Sequence, residues 1–319
     1  MFHRRTLLAS ALASSLPWPA WAQSSTGSSG KNSLTLGMAL EPPMLDPTVS
    51  AAAAIGEIVH YNLFETLTKI TPEGTVLPLL AQRWEAAPDS KTFTFHLRQD
   101  AQFHNGQPLT ADSVQFSFAR AASSTSTNKD KALFTQLKVT AKDRFTVVIE
   151  SAHSNPDLLF LLGQATAIIV EPQSAATNAT TPVGTGPYRV QQWQKGSRLT
   201  LPAWPQWREA GRIALQRVTF RFIPDAAAQA TALLAGDVDA FPRIAVPSVT
   251  QLQSDPRFQV LISGSRAKTI LSINNTRPPL NDVRVRRALA AAIDRQAVIT
   301  GAAEGFGVPI GSHYTPNAP

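Results

Sequence analysis

The sequence predicts an α/β fold with mixed sheets. Apolar runs of period 2 interleave along the chain with runs of period 3.6, instead of being gathered into an all-strand or an all-helix block. The chain has 319 residues, 43% of them hydrophobic, which is enough for two domains with a core each. Its 16% charged residues and the lack of a long apolar run beyond the N-terminus are ordinary for a soluble chain. No internal repeat is visible.

The elements follow in order. Gln23 to Ser33 is Ser/Gly-rich without apolar periodicity and reads as a flexible lead-in. Leu34, Leu36, Met38 and Leu40 alternate with smaller or polar residues as a strand with one buried face, which Glu41-Pro42-Pro43 ends. A helix is expected from Ala51 to about Leu67. Phe93, Phe95 and Leu97 mark a second strand, and Asn105-Gly106 a turn, since both residues tolerate positive φ. Thr110 is placed to cap a helix running to about Ala122, followed by a polar loop, Ser123 to Lys131, and a strand, Arg144 to Glu150.

Further strands are expected at Arg198 to Leu201 and at Arg217 to Ile223, where Val218, Phe220 and Phe222 share a face. Asp225 should cap an Ala-rich helix that stops at Gly236, with a short strand at Val238 to Phe241. Ile270 to Asn274 reads as a strand. Asp282 to Thr300 reads as one long helix, with Val285, Ala288, Leu289, Ala292 and Ile293 on one face and Gly301 as its stop.

The first twenty-two residues read as a secretory signal peptide: Arg4-Arg5, a short apolar run to Leu16, then Ala20-Trp21-Ala22 as a cleavage signal. The apolar run is too short to span a bilayer, so a retained anchor is disfavoured. The paired arginines favour the twin-arginine route, although His3 stands where Ser or Thr is usual. Cleavage near Ala22 removes two arginines and no acid, lowering the net charge from +7 to +5. The chain has no cysteine, which excludes disulfides, thiolate chemistry and a lipid-modified N-terminal Cys. A free periplasmic protein fits best.

Catalytic and cofactor readings are weak. Gly184-Thr185-Gly186 fails the dinucleotide pattern, because Arg189 takes the third Gly position and Pro187 interrupts it; a close backbone approach is the better account. His60, His96, His104, His153 and His313 lack metal-ligand spacing, and there is no G-x-S-x-G elbow, so no catalytic group, metal or cofactor is expected. Asp237 and Asp239 would share a strand face, most simply at a strand edge. The densest basic cluster, Arg284, Arg286 and Arg287, lies on one helix face without interleaved aromatics, so no nucleic-acid partner is expected. Trp193, Trp204 and Trp207 surround a Pro-rich loop and read as cover for a sheet edge.

Taken in order, Glu41-Pro42-Pro43-Met44-Leu45-Asp46-Pro47, Leu63-Phe64-Glu65-Thr66-Leu67, Pro78 to Trp84, Phe93 to Arg98 and Phe103 to Ala111 form a recurrent set. Pro182 to Val190, Ala232 to Asp239, and Val285-Arg286-Arg287-Ala288-Leu289 leading to Ala292-Ile293-Asp294-Arg295 complete it. With these landmarks the chain resembles the family 5 extracellular solute-binding proteins, the peptide- and nickel-type receptors of ATP-driven importers. Ser113 departs from the family's usual Asp at a helix start.

The resemblance implies a periplasmic-binding-protein-like two-lobe architecture. Residues 34–48 and 167–265 would form a discontinuous first lobe, 49–166 an inserted smaller domain, and 266–319 the start of a second, truncated lobe. It implies no enzyme activity. It implies a monomer that captures a short peptide and delivers it to an inner-membrane permease driven by an ATPase. A nickel chelate, haem, glutathione or an oligosaccharide are the alternative ligands, and a non-functional truncated product is the alternative outcome; a secreted hydrolase is a remote third class. Ligand contacts implied by the resemblance are Glu41 and Pro43 through their backbone and the Phe116 ring, with Phe241 and Asn274 as further candidates. The plainer reading puts Phe116 in the core and gives Phe241, Asn274 and Tyr188 structural roles.

Overall fold

A computed structural model describes residues 31–263 and 268–312. The predicted signal peptide and residues 23–30 of the lead-in lie outside the described residues. The strands are β1 (Ser33–Met38), β2 (Thr68–Ile70), β3 (Val76–Pro78), β4 (Ala81–Ala86), β5 (Thr92–Leu97), β6 (Leu137–Asp143), β7 (Thr146–Ser151), β8 (Gln192–Gln194), β9 (Arg198–Pro202) and β10 (Arg217–Phe222). The helices are α1 (Ala53–Val59), α2 (Ala111–Ala122), α3 (Lys131–Thr135), α4 (Leu158–Leu161), α5 (Ala226–Leu234), α6 (Val249–Gln253), α7 (Val283–Ala292) and α8 (Arg295–Ala303).

One sheet has the order β1-β10-β9-β8, with β1 parallel to β10 and the other pairs antiparallel. A second, antiparallel sheet has the order β4-β5-β7-β6, and β2 pairs with β3. Alternation explains the cores. Val218, Phe220 and Phe222 of β10 and Leu199 and Leu201 of β9 point into one apolar cluster with Ile55 and Ile58 of α1. Phe93, Phe95 and Leu97 of β5 point into another with Val114 and Phe118 of α2 and Phe134 of α3. A small third cluster joins Leu233, Val238 and Leu252.

The cap expectations hold. Ser113 Oγ accepts from the Thr110 N–H at 3.4 Å at the start of α2, so Ser serves where the family uses Asp. The Asp225 carboxylate accepts from Ala228 N–H at 2.8 Å, and Gly236 takes φ 76° after α5.

Four sequence expectations are corrected. The helix expected to reach Leu67 stops at Val59, where Tyr61 takes φ 61° and the Asn62 amide donates to Ile58 O at 2.8 Å. Residues 62 and 63 instead present their carbonyls to Tyr188 and Gly186 N–H, both at 3.0 Å, so tertiary bonds replace helical ones. Val238–Phe241 is a single parallel bridge, Leu36 to Ala240, and Pro242 has no N–H with which to extend a ladder. Ile270–Asn274 forms no strand; Ile270 and Leu271 are exposed with no ladder partner among the described residues. The long C-terminal helix is two, because the Asp294 carboxylate accepts from Ala297 N–H at 3.0 Å and starts α8 afresh. That helix runs past Gly301 and ends at Glu304 and Gly305, both at positive φ.

Candidate ligand-binding site

The end of β1 runs into Leu40-Glu41-Pro42-Pro43, and the hairpin between β8 and β9 holds this segment. Glu41 Oε1 accepts from Trp193 Nε1 and Oε2 from the Gly196 N–H, each at 2.8 Å. Lys195 Nζ sits 3.1 Å from the centre of the Trp193 ring and donates to the Pro43 carbonyl at 3.3 Å. Both oxygens of one carboxylate are thus bonded to a single turn, which fixes the direction of the chain leaving the sheet.

Beyond Pro43 the segment is tied to α2. Asp46 is 1% exposed. Its Oδ1 accepts from Thr48 N–H at 2.9 Å and Thr48 Oγ1 at 2.6 Å, and its Oδ2 from Arg120 Nη2 at 2.9 Å. Arg120 also donates to Thr48 Oγ1.

The predicted ligand residues fall in different settings. Phe116, half-buried on α2, packs against the apolar cluster behind β9 and β10. The Phe241 ring lies on Gly37, where a Cβ would come within 2.1 Å of it, and packs against the third cluster. Asn274 is exposed, and its Oδ1 closes a local turn by accepting from Thr276 N–H at 3.1 Å and Thr276 Oγ1 at 2.7 Å. The structure therefore brings together Glu41 and Pro43, with Phe241 against the same strand, and places Asn274 in a separate local turn.

Two further buried ties lie elsewhere in the fold. Gly184 and Gly186 lie against residues 62 and 63: a Cβ at Gly184 would sit 1.9 Å from Leu63 O, and one at Gly186 2.4 Å from Asn62 O. That is the close approach the Gly-x-Gly pattern suggested. His104 bonds the same stretch, donating its N–H to Gly184 O at 2.8 Å. Its Nδ1 accepts from Gly184 N–H at 3.2 Å, and its Nε2 lies 3.0 Å from Gly186 O. A backbone N–H only donates, so Nδ1 must accept, Nε2 carries the proton and the ring is neutral. Burial pushes the His104 pKa down to about 4, with the bond to Gly186 partly opposing. Glu65 and Arg208, at 3% and 4% side-chain exposure, form a two-bond ion pair with both distances 2.7 Å.

Of the three tryptophans expected to cover a sheet edge, Trp193 holds Glu41, Trp204 is buried edge-on to His104, and Trp207 lies beside the Arg208 guanidinium. The roles of Trp193, Lys195 and Arg120 were not legible in sequence; the 152 and 74 residues separating them from their partners leave no local signal. Asp237 and Asp239 do lie at a strand edge: Asp239 accepts from Thr35 N–H at 2.7 Å, and Asp237 pairs with Arg221 at 3.1 Å.

Residues 75–319 match the model of the bacterial extracellular solute-binding proteins, family 5. The chain belongs to that family. It is 29% identical over 318 residues to the probable D,D-dipeptide-binding periplasmic protein DdpA of Escherichia coli K12, covering 95% of this chain and 60% of that protein. It is 26% identical over 270 residues to the nickel-binding periplasmic protein of the same organism, covering 81% and 51%. Among solved structures it is similar to AgaA of A. tumefaciens R10 in complex with agropinic acid, with a TM-score of 0.74, 26% identity, and 88% and 59% of the two chains covered. The oligopeptide-binding protein AppA of Bacillus subtilis shares the fold at a TM-score of 0.79 and 23% identity, over 90% and 58% of the two chains. The fold is therefore that of the periplasmic binding proteins, and this family 5 chain spans about 60% of the length of DdpA.

Proposed function

We propose that this protein is the solute receptor of an ABC importer and that its ligand is a short peptide. The observation that carries the reading is the family match over residues 75–319, together with relatives whose names specify dipeptide or peptide binding. The protein itself performs no chemistry. It is exported to the periplasm through a cleaved signal peptide, by the twin-arginine route, and works as a monomer that passes ligand to an inner-membrane permease with its ATPase.

In this reading residues 34–48 and 167–265 form one lobe, 49–166 an inserted domain and 266–319 the start of a second lobe. The segment at Glu41 and Pro43 is one wall of the binding site. Its support is the fixed chain direction after β1, since a peptide is held through backbone groups that must not move. Phe116, Phe241 and Asn274 complete the proposed contacts. Ligand that touches both lobes favours the closed form through its differential affinity.

Thermal unfolding of the protein with and without a pool of di- to pentapeptides tests the reading. Peptide at about a hundred times its dissociation constant adds about 2.7 kcal/mol of stability and raises Tm. A protein that ignores every peptide pool but is stabilised by a nickel–histidine chelate would move the assignment to the nickel-type receptors, a choice the nickel-binding relative makes specific.

A further inference from the structure

Two adjoining hollows lie beside β8; none of Glu41, Pro43, Phe116, Phe241 and Asn274 lines them, although Trp193 and Lys195, which hold Glu41 and Pro43, form part of the larger one. The larger, about 770 Å³, is lined by the Asn105 turn, by Thr180 to Val183 and by Arg189 to Trp193 with Lys195. The smaller, about 270 Å³, is lined by Arg198, Thr200, Arg217 and Thr219. Both include Gln191 and Gln192, so they form one continuous groove. Four cationic side chains line it, at positions 189, 195, 198 and 217, and among the described residues no carboxylate does. All four are exposed.

The backbone beside the groove is also open. β8 is the outermost strand of the sheet β1-β10-β9-β8, so among the described residues no strand pairs with its outer edge. Such an edge accepts an extended chain through main-chain hydrogen bonds. Positive charge along it repels a second copy of the same edge and favours a strand of opposite charge. We propose that this groove docks a carboxylate-rich, extended segment of a partner protein along the β8 edge, with Arg189, Lys195, Arg198 and Arg217 as counter-charges.

The remaining lining supports a polypeptide over a nucleic acid. Asn105, Thr180, Thr181, Gln191 and Gln192 supply amide and hydroxyl groups that suit peptide bonds. Lys195 Nζ sits over one face of the Trp193 ring at 3.1 Å, so that face is not open for a base to stack on.

The test is fluorescence anisotropy of labelled oligoglutamate and oligoserine with the whole chain, combined with backbone hydrogen exchange. Oligoglutamate is expected to bind at least about tenfold more tightly than oligoserine and to weaken as salt is raised. The double substitution Arg189→Ala with Arg198→Ala, both exposed, should cost a further tenfold or so. In the unsubstituted protein oligoglutamate should slow exchange at residues 189–194. Equal binding of the two peptides, or an unchanged double variant, would overturn the proposal. So would protection confined to residues 37–44, which would place the peptide at the proposed receptor site. Displacement by inorganic phosphate at matched ionic strength would reduce the groove to a simple anion site, and oligothymidylate binding as tightly as oligoglutamate would reassign it to nucleic acid.

Discussion

Lowering the pH from 8 to 5 should weaken the fold through His104. Its neutral ring accepts from Gly184 N–H through Nδ1 and donates to Gly186 O through Nε2, with Trp204 edge-on at 4.9 Å. A proton added at Nδ1 would meet a donor where it needs an acceptor, and burial opposes the charge. The folded pKa is about 4 and the ordinary value 6.5. The unfolded chain therefore takes the proton first as pH falls. The stabilising effect is complete above pH 6.5 and is lost progressively as pH falls towards 4. At about 1.4 kcal/mol per decade, that gap removes about 3 kcal/mol when fully titrated and about 2 kcal/mol by pH 5. Urea unfolding at pH 8, 7, 6 and 5 measures it, with His104→Gln as comparison, since Gln keeps one acceptor and one donor but does not titrate. The loss between pH 8 and 5 should be smaller in the variant by about 2 kcal/mol. Parallel pH profiles for the two proteins would refute the assignment of a buried neutral ring. His60, also lowered to about 4 by burial, contributes equally to both profiles and cancels.

Arg208→Met leaves the Glu65 carboxylate buried and unpaired and should cost about 3–5 kcal/mol in urea unfolding, whereas Glu65→Leu with Arg208→Met should recover most of it. Gly184→Ala drives a methyl group towards Leu63 O and should cost about 1–3 kcal/mol or more; a neutral result would contradict the close approach. Trp193→Phe keeps a ring under Lys195 but removes the donor to Glu41, costing about 2 kcal/mol and loosening the proposed binding wall, which peptide titration would register as weaker affinity.

What was legible in the sequence was local. Alternation at residues 93–97 and 217–223 located β5 and β10 because one face of each strand is buried. Asp225, Asp282 and Asp294 all bond a helical N–H, yet only the first two were placed as helix starts. Asp294 was hidden inside an apolar period that continues across the break, so the pattern gave one helix where the carboxylate makes two. The strand expected at Ile270–Asn274 shows the converse, since apolar residues do not make a strand without a neighbour to pair with. Glu41 and Pro43 were reached through the family landmarks. Their partners Trp193, Lys195 and Gly196 come from a hairpin far along the chain, as does Arg120 for Asp46, and only the folded chain brings them together.

Native mass spectrometry of the protein isolated without added ligand, with sequencing of whatever dissociates, tests the central claim most directly. The account predicts a mixture of short peptides, one per protein molecule. A single non-peptide mass, such as a metal chelate, a haem or an oligosaccharide, would contradict it.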